Sequence, residues 1–401
     1  MTKTVLKRLH KFALLSSLYV SQYISLMFLV QALPVFMRQQ GAPLETIGLI
    51  YLLVGLPLLL KVFWSPFIDR YGFTRWGHYR FWIICFQLLM AVVAVLCAFV
   101  DMQANFTLMF GLLLLIATFA ASQDIATDAL AVGLLEPRER GWGNGIQMAG
   151  NYLGAILGGG VMLILLNRLG WTNSVLTLAW VSVTALLPIL RHRERPAKPV
   201  QTHPALMDVL NFYRRPGIWR WLLLLALYMT GGNMANGMFR PLLVDVGLSL
   251  AEIGWLLGVV GNGAAILGAV AAGLLTTAFG RKRSLVIFGI VQAVAIVAYL
   301  LPASGFTDTF TLHIVTIVMH AAIGATLTVS ATVMMDKSQL ATAGTDYTAQ
   351  SSVVYLGGFL AAGLSGFITA AIGYQGLFLM SVAIAILGVV LINRGQLERF
   401  N

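Results

Sequence analysis

Apolar and polar positions alternate along this chain on a long scale. A helix that crosses a bilayer needs about 20 mostly apolar residues. Twelve runs of that kind are read near 12–37, 46–67, 81–100, 106–130, 144–166, 172–190, 219–243, 252–275, 284–302, 310–335, 345–372 and 374–393. The first follows a basic N-terminus (Lys3, Lys7, Arg8, Lys11) and carries Tyr19, Gln22 and Tyr23. It is too long for a cleaved signal, whose apolar core runs about 7–15 residues, and is therefore the first span.

The pattern repeats. Ser65-Pro-Phe-Ile-Asp69-Arg-Tyr-Gly72 lines up with Gly273-Leu-Leu-Thr-Thr277-Ala-Phe-Gly280, and Leu44-Glu-Thr-Ile-Gly48 with Leu250-Ala-Glu-Ile-Gly254. Ser122 and Asp128 match Ser330 and Asp336, and Tyr152-Leu-Gly154 matches Tyr355-Leu-Gly357. Several matches in order, at offsets of 203 to 208, indicate a duplication. The expected architecture is an all-α membrane protein of 12 transmembrane helices, in two six-helix halves with pseudo-two-fold symmetry. Parallel six-span repeats of this kind build transporters whose substrate lies between the halves near the bilayer midplane. The halves are placed at 1–190 and 219–401. The Pro- and Arg-rich stretch 191–218 is a cytoplasmic linker in which Leu206–Tyr213 forms a short surface helix.

Composition agrees with lipid as the solvent. Of the 401 residues 59% are hydrophobic and 10% charged, against about 25% charged in a soluble domain. The net charge of +11 does not indicate a nucleic-acid partner, because the basic residues fall in short clusters between apolar runs. With both termini in the cytoplasm, cytoplasmic segments hold 22 of the 26 Lys and Arg, as the positive-inside rule requires. Cys85 and Cys97 lie in one run, about 18 Å apart along a helix, too far to pair. No cluster has metal-ligand spacing, and no cofactor is expected.

The cytoplasmic end of the second span reads Lys61-Val-Phe-Trp64-Ser-Pro66-Phe-Ile-Asp69-Arg70-Tyr71-Gly72. A second motif is Ser122-Gln123-Asp124-Ile125-Ala126-Thr127-Asp128-Ala129, followed by Glu139-Arg140-Gly141 and Tyr152-Leu153-Gly154. Asp-Arg-x-Gly after span 2 resembles the signature loop of the major facilitator superfamily. The fuller pattern resembles one branch of it: the muropeptide permeases of the AmpG type, the acetyl-CoA transporters and a shorter siderophore-importing group. Muropeptide permeases are usually longer. The chain's length and the run Ala32-Leu33-Pro34 to Gln40-Gly41 look more like the pyochelin and rhizobactin permeases. The resemblance is closest over 12–171 and thinner in the second half. It implies a multi-pass protein of the cell inner membrane, acting as a monomer in contact with membrane lipid and handling a small siderophore-like solute.

A charge near the bilayer centre costs about 2.5–3.5 kcal/mol on insertion scales. Lys61, Asp124 and Asp128 lie at one depth, so each offsets the desolvation of the others. Three readings stay open: a structural or gating ion-pair cluster with Asp69 and Arg70, a proton path through Asp124 or Asp128, or simple snorkelling to the surface. A further set faces a cavity. Tyr19, Gln22 and Tyr23 share one helical face, as do Gln147 and Asn151. Asn233, Asn236 and Arg240 lie in span 7, and His320 in span 10. Aromatics with neutral amides suit a bulky solute bearing hydroxyl or carbonyl groups; helix–helix hydrogen bonding is the plainer alternative.

No His-Glu-x-x-His, Gly-x-Ser-x-Gly or Walker loop is present, which argues against an enzyme or an ATP-driven pump. The expected function is proton-coupled import of a siderophore or its ferric complex by alternating access. A muropeptide or acyl-nucleotide permease, or a transporter-like sensor, is the alternative.

Overall fold

A computed structural model describes residues 3–40, 54–72, 74–101, 104–194 and 205–395. The Leu44–Gly48 motif, the start of the second span, most of the Pro-rich stretch and Asn401 lie outside them. The described residues form helices and turns, with no strand among them. Helix α1 (Lys3–Met27) continues through a π-helical turn, Phe28–Ala32, into Leu33–Gln39. It is followed by α2 (Val54–Phe63), α3 (Ser65–Arg70), α4 (His78–Phe99), α5 (Phe106–Leu134), α6 (Arg140–Ala155) and α7 (Met162–Thr184). The short α8 (Ala205–Arg214) precedes α9 (Ile218–Asp245), α10 (Asn262–Phe279), α11 (Arg281–Ala298), α12 (Thr309–Asp336) and α13 (Ala343–Arg394).

Among the described residues, eight continuous stretches are long and apolar enough to cross a membrane. Two of them, Arg140–Arg191 and Leu340–Arg394, are too long for one crossing. A helix of 52 residues would reach about 78 Å, more than twice the hydrocarbon thickness of about 30 Å. Each bends at a glycine with φ of 73°, Gly170 and Gly373, where an L side chain would be strained. Each is therefore two spans. With α9 and the shorter apolar helix α2, the spans number twelve.

Contacts divide the chain into two compact units. The first is Met1–Leu134, Gly150–Asn211 and Ser338–Ala349; the second is Leu135–Ala149, Phe212–Lys337 and Gln350–Asn401. Each unit thus takes in a short segment from the other end of the sequence.

The first unit has a core of Leu29, Phe28, Leu33, Cys97, Ala117 and Val175. A second cluster holds Leu18, Ile68, Ile83 and Ile125. In the second unit Phe239, Tyr299 and Phe378 pack together, the first two with ring centres 4.0 Å apart. There α10 and α12 approach backbone to backbone. A Cβ on Gly268 would lie 2.0 Å from the Ala321 carbonyl oxygen, and one on Gly324 2.1 Å from that of Ala265. Small residues are what permit such closeness between apolar helices.

Candidate functional site

The charged residues of the first unit collect where α1, the end of α2 and α5 meet. The end of α2 tightens into a single 3-10 turn, Lys61–Phe63, before α3 starts with Pro66 in its first turn, where the missing N–H costs nothing. This turn holds Lys61 fully buried, and its ammonium pairs with Asp124 of α5. The Gln22 side-chain amide of α1 donates to the other Asp124 oxygen. One turn along α5, Asp128 accepts from the Tyr19 hydroxyl at 2.9 Å. Tyr19, Gln22, Asp124 and Asp128 are all buried. The Trp64 indole donates to Ser122 Oγ at 3.0 Å, and Ser122 in turn to the Thr118 carbonyl at 2.8 Å. The Gln22 Oε1 and Asn151 Oδ1 atoms are buried acceptors without a hydrogen-bond donor among the described residues.

Asp69, at the end of α3, has a different role. It accepts from the Tyr79 hydroxyl at 2.8 Å, from the backbone N–H of Gly344 at 2.9 Å, and from the N–H and Oγ1 of Thr345 at 2.6 and 2.7 Å. Burial pushes its carboxyl above the ordinary range, and these donors oppose the shift. The N–H groups belong to the first turn of α13, where they lack helical partners and favour an anion. Arg70 pairs with Asp208 of α8 at 3.3 Å.

The remaining candidates divide between the units. Tyr23 and Asn151 belong to the first; a Cβ on Gly154 would lie 2.6 Å from that of Tyr23. Gln147, Asn233, Asn236, Arg240 and His320 belong to the second. Asn233, Asn236 and Arg240 recur on one face of α9, with Asn236 and Arg240 exposed. The Tyr299 hydroxyl donates to Asn236 at 3.4 Å. His320 places Nδ1 at 2.9 Å from the Thr316 carbonyl, its ring against Gly261, within electrostatic range of Arg240.

Sequence reasoning missed several partners: Gly344 and Thr345 on Asp69, Asp208 on Arg70, and the bridging of Asp336 by Arg140 and Arg281 at 2.8 and 2.7 Å. The signal was available for part of this. The Tyr-Leu-Gly match at an offset of 203, carried back, sets Gly141 opposite Gly344. A Cβ on Gly141 would lie 2.6 Å from Thr277 Oγ1, and one on Gly344 2.6 Å from Asp69 Oδ1. Thr277 is the counterpart of Asp69 in the repeat.

Twelve spans with charged side chains buried among them fit a membrane transporter. The sequence matches the Major Facilitator Superfamily over residues 15–246 and 221–395, and the chain belongs to that family. It is 28% identical over 370 residues to the anhydromuropeptide permease of Escherichia coli (strain K12), covering 90% of this chain and 74% of that one. It is 24% identical over 289 residues to a putative transporter, AmpG 4, of Rickettsia conorii, covering 69% and 70%. Its relatives thus lie in the muropeptide-permease branch. Among solved structures, FucP in its outward conformation superposes with a TM-score of 0.69 at 15% identity, over 96% of this chain and 99% of that chain. A bacterial homologue of ferroportin, outward-facing, gives 0.71 at 13% over 96% and 98%. At those identities the likeness speaks for the fold alone.

Proposed function

We propose that this protein is a secondary transporter that carries an anhydromuropeptide or a close glycopeptide across the inner membrane by alternating access. The observation that carries the reading is similarity to the Escherichia coli permease over 90% of the chain. It favours the muropeptide alternative over siderophore import, which rested on chain length and the short run around Ala32–Gly41. The polar faces fit such a solute. Tyr19, Gln22, Tyr23 and Asn151 in one unit, and Gln147, Asn233, Asn236, Arg240 and His320 in the other, offer amides and hydroxyls to a sugar and a cation to a carboxylate.

The working arrangement is two six-helix halves, 1–190 and 219–401, joined by 191–218, with both termini cytoplasmic. The placement of 22 of 26 Lys and Arg supports that orientation. Asp69 and Arg70, with Gly344, Thr345 and Asp208, act as a cytoplasmic clasp that opens once per cycle. The chain has no Walker loop, so uphill movement draws on an ion gradient, and a proton carried by the Lys61–Asp124–Asp128 cluster is the proposed coupling.

Uptake into proteoliposomes tests this. A labelled N-acetylglucosaminyl-anhydromuramyl tripeptide should accumulate when the lumen is alkaline and stop with a protonophore, while ferric pyochelin should not accumulate. Accumulation of the ferric complex alone restores the siderophore reading. Binding of the tripeptide without uptake identifies a sensor.

A further inference from the structure

We propose that the pocket at the start of α9 is a phosphate-binding site, and that its occupant is the headgroup of an anionic phospholipid seated against the second unit. The site concerns the membrane around the transporter and stands whichever solute is carried.

The pocket is built by two chain ends that meet within the second unit. Arg215-Pro216-Gly217 turns into α9, with the Ile218 N–H returning to the Arg215 carbonyl at 3.2 Å. Opposite, α12 ends at Asp336 and Lys337 follows it. Between them lies a space of about 60 Å³ lined by Arg215, Pro216, Gly217, Ile218, Trp221 and Lys337. That is room for more than one water molecule, and so for an oxyanion. Two of the lining residues are cations and none is an acid.

Both cations are seated over aromatic rings. Lys337 Nζ lies 5.4 Å from the centre of a Trp221 ring, and the Arg215 guanidinium carbon 5.2 Å from that of Phe212. The rings are themselves fixed. Phe212 and Trp221 are buried. The Trp221 indole donates to Gln350 Oε1 at 2.7 Å, and the Gln350 amide donates to the Met334 carbonyl at 3.0 Å. A ring face attracts a cation without cancelling its charge. Whatever else these two side chains touch, both bring positive charge to the pocket. Asp336, beside Lys337 in sequence, is bridged by Arg140 and Arg281.

The surroundings add charge of the same sign. Arg214 and Arg220 are exposed on either side of the turn. The Arg220 guanidinium lies 3.7 Å from where a Cβ on Gly395 would stand, next to the exposed Arg394. The positive end of the α9 macrodipole points the same way. A guanidinium and an ammonium converging on one recess suit a group with several charged acceptor oxygens, and phosphate is such a group.

The adjoining face of α9 favours a lipid over free phosphate. Trp219 and Leu223, four residues apart on one helical face, are 59% and 68% exposed. Trp219 stacks on Tyr213 with ring centres 5.3 Å apart. Tryptophan and tyrosine at the end of a span sit at headgroup level, and a leucine one turn along lies among acyl chains. A phosphodiester in the pocket with its chains along Trp219 and Leu223 uses both features; a free anion uses only the first.

Native mass spectrometry of the full chain released from detergent micelles, titrated with dioleoyl phosphatidylglycerol, tests the site. One lipid should bind ahead of the others, and dioleoyl phosphatidylcholine, whose headgroup carries no net charge, should bind more weakly. Arg215→Gln and Lys337→Gln should each weaken that lipid about fivefold, the usual effect of one cation near an anionic headgroup. If one of the two does not fold, the other reads the same pocket from its opposite wall. Arg193→Gln, which removes an exposed cation of the first unit, should leave the affinity unchanged. Trp219→Ala should weaken the lipid, and inorganic phosphate in large excess should not displace it. Equal binding of the two lipids, an equal loss in Arg193→Gln, or wild-type affinity in both pocket variants overturns the site. Displacement by inorganic phosphate, with Trp219→Ala binding as the wild type does, assigns the pocket to a free anion and overturns the lipid.

Discussion

Asp128 and Asp336 stand at equivalent places in the two repeats, yet their surroundings have diverged. Asp128 is buried beside a tyrosine hydroxyl and one turn from the Lys61–Asp124 pair. Asp336 is 26% exposed at the end of α12 and is bridged by two guanidinium groups, Arg140 and Arg281. The same contrast separates Asp69, gripped by backbone N–H groups, from its counterpart Thr277, which only returns its hydroxyl to the Gly273 carbonyl of its own helix. One copy of the repeat has kept charges inside, where each is expensive and sensitive to its partner. The other sets Asp336 at the end of its helix between two cations, and carries an uncharged Thr277 where the first has Asp69. A duplicated frame thus holds its matched positions in different electrostatic settings.

This contrast can be broken most severely at Lys61. Lys61→Met leaves Asp124 buried without its cation, and removing one member of a buried pair costs about 3–5 kcal/mol. Thermal unfolding in detergent should show that loss, and adding Asp124→Asn should recover most of it. Equal, additive losses in the two single variants would mean the pair is not coupled. Asp336→Asn should cost far less, about 1 kcal/mol, and the loss should shrink further at high salt, because the pair is partly exposed. A loss as large as that of Lys61→Met, independent of salt, would erase the distinction between the two regions. Trp64→Phe removes the hydrogen bond to Ser122 and should cost about 1 kcal/mol. Uptake should change less than stability, since the indole braces the Lys61 turn without sharing its charge.

The smallest effect is expected at the start of α12. Asp308 caps that helix by accepting from the Thr311 N–H at 3.0 Å and from its hydroxyl at 2.6 Å. Those bonds hold its carboxyl below the ordinary range. A carboxyl whose folded value is lowered stabilises above its unfolded value, and that contribution fades as the pH falls through the folded one. Asp308→Ala should therefore lower the melting temperature slightly at neutral pH and not at all in strong acid. A difference that persists in strong acid would assign the effect to packing.

Much of this was legible in the sequence for a simple reason. Crossing a bilayer imposes length and apolarity, so the spans could be read from the pattern, and counting along them set Lys61 level with Asp124, the residue it pairs with in the structure. The partners of Asp69 were not legible, because a backbone N–H leaves no mark in a list of side chains. Gly344 and Thr345 donate through groups that every residue but proline possesses. The shape of span 2 was also hidden: its helix ends in a 3-10 turn at Lys61, which hydrophobicity alone does not report. Alignment by side chain set Gly72 against Gly280, whereas the backbone pairs Gly77 with Gly280. Both have positive φ, at 91° and 81°, and both immediately precede a span. The first repeat simply carries a longer loop, with its own short turn at Thr74–Trp76.

That pairing of glycines bears on descent. Gly77 and Gly280 are 203 residues apart, and so are Gly170 and Gly373, the bends with φ of 73° inside the two longest helical stretches. Around them the side chains have drifted until few identities remain. The left-handed corners have not, because only a residue without a Cβ takes them freely. Ancestry in such a chain is best traced through torsion angles: two pairs of corners date the two copies to one original more plainly than any stretch of matching letters.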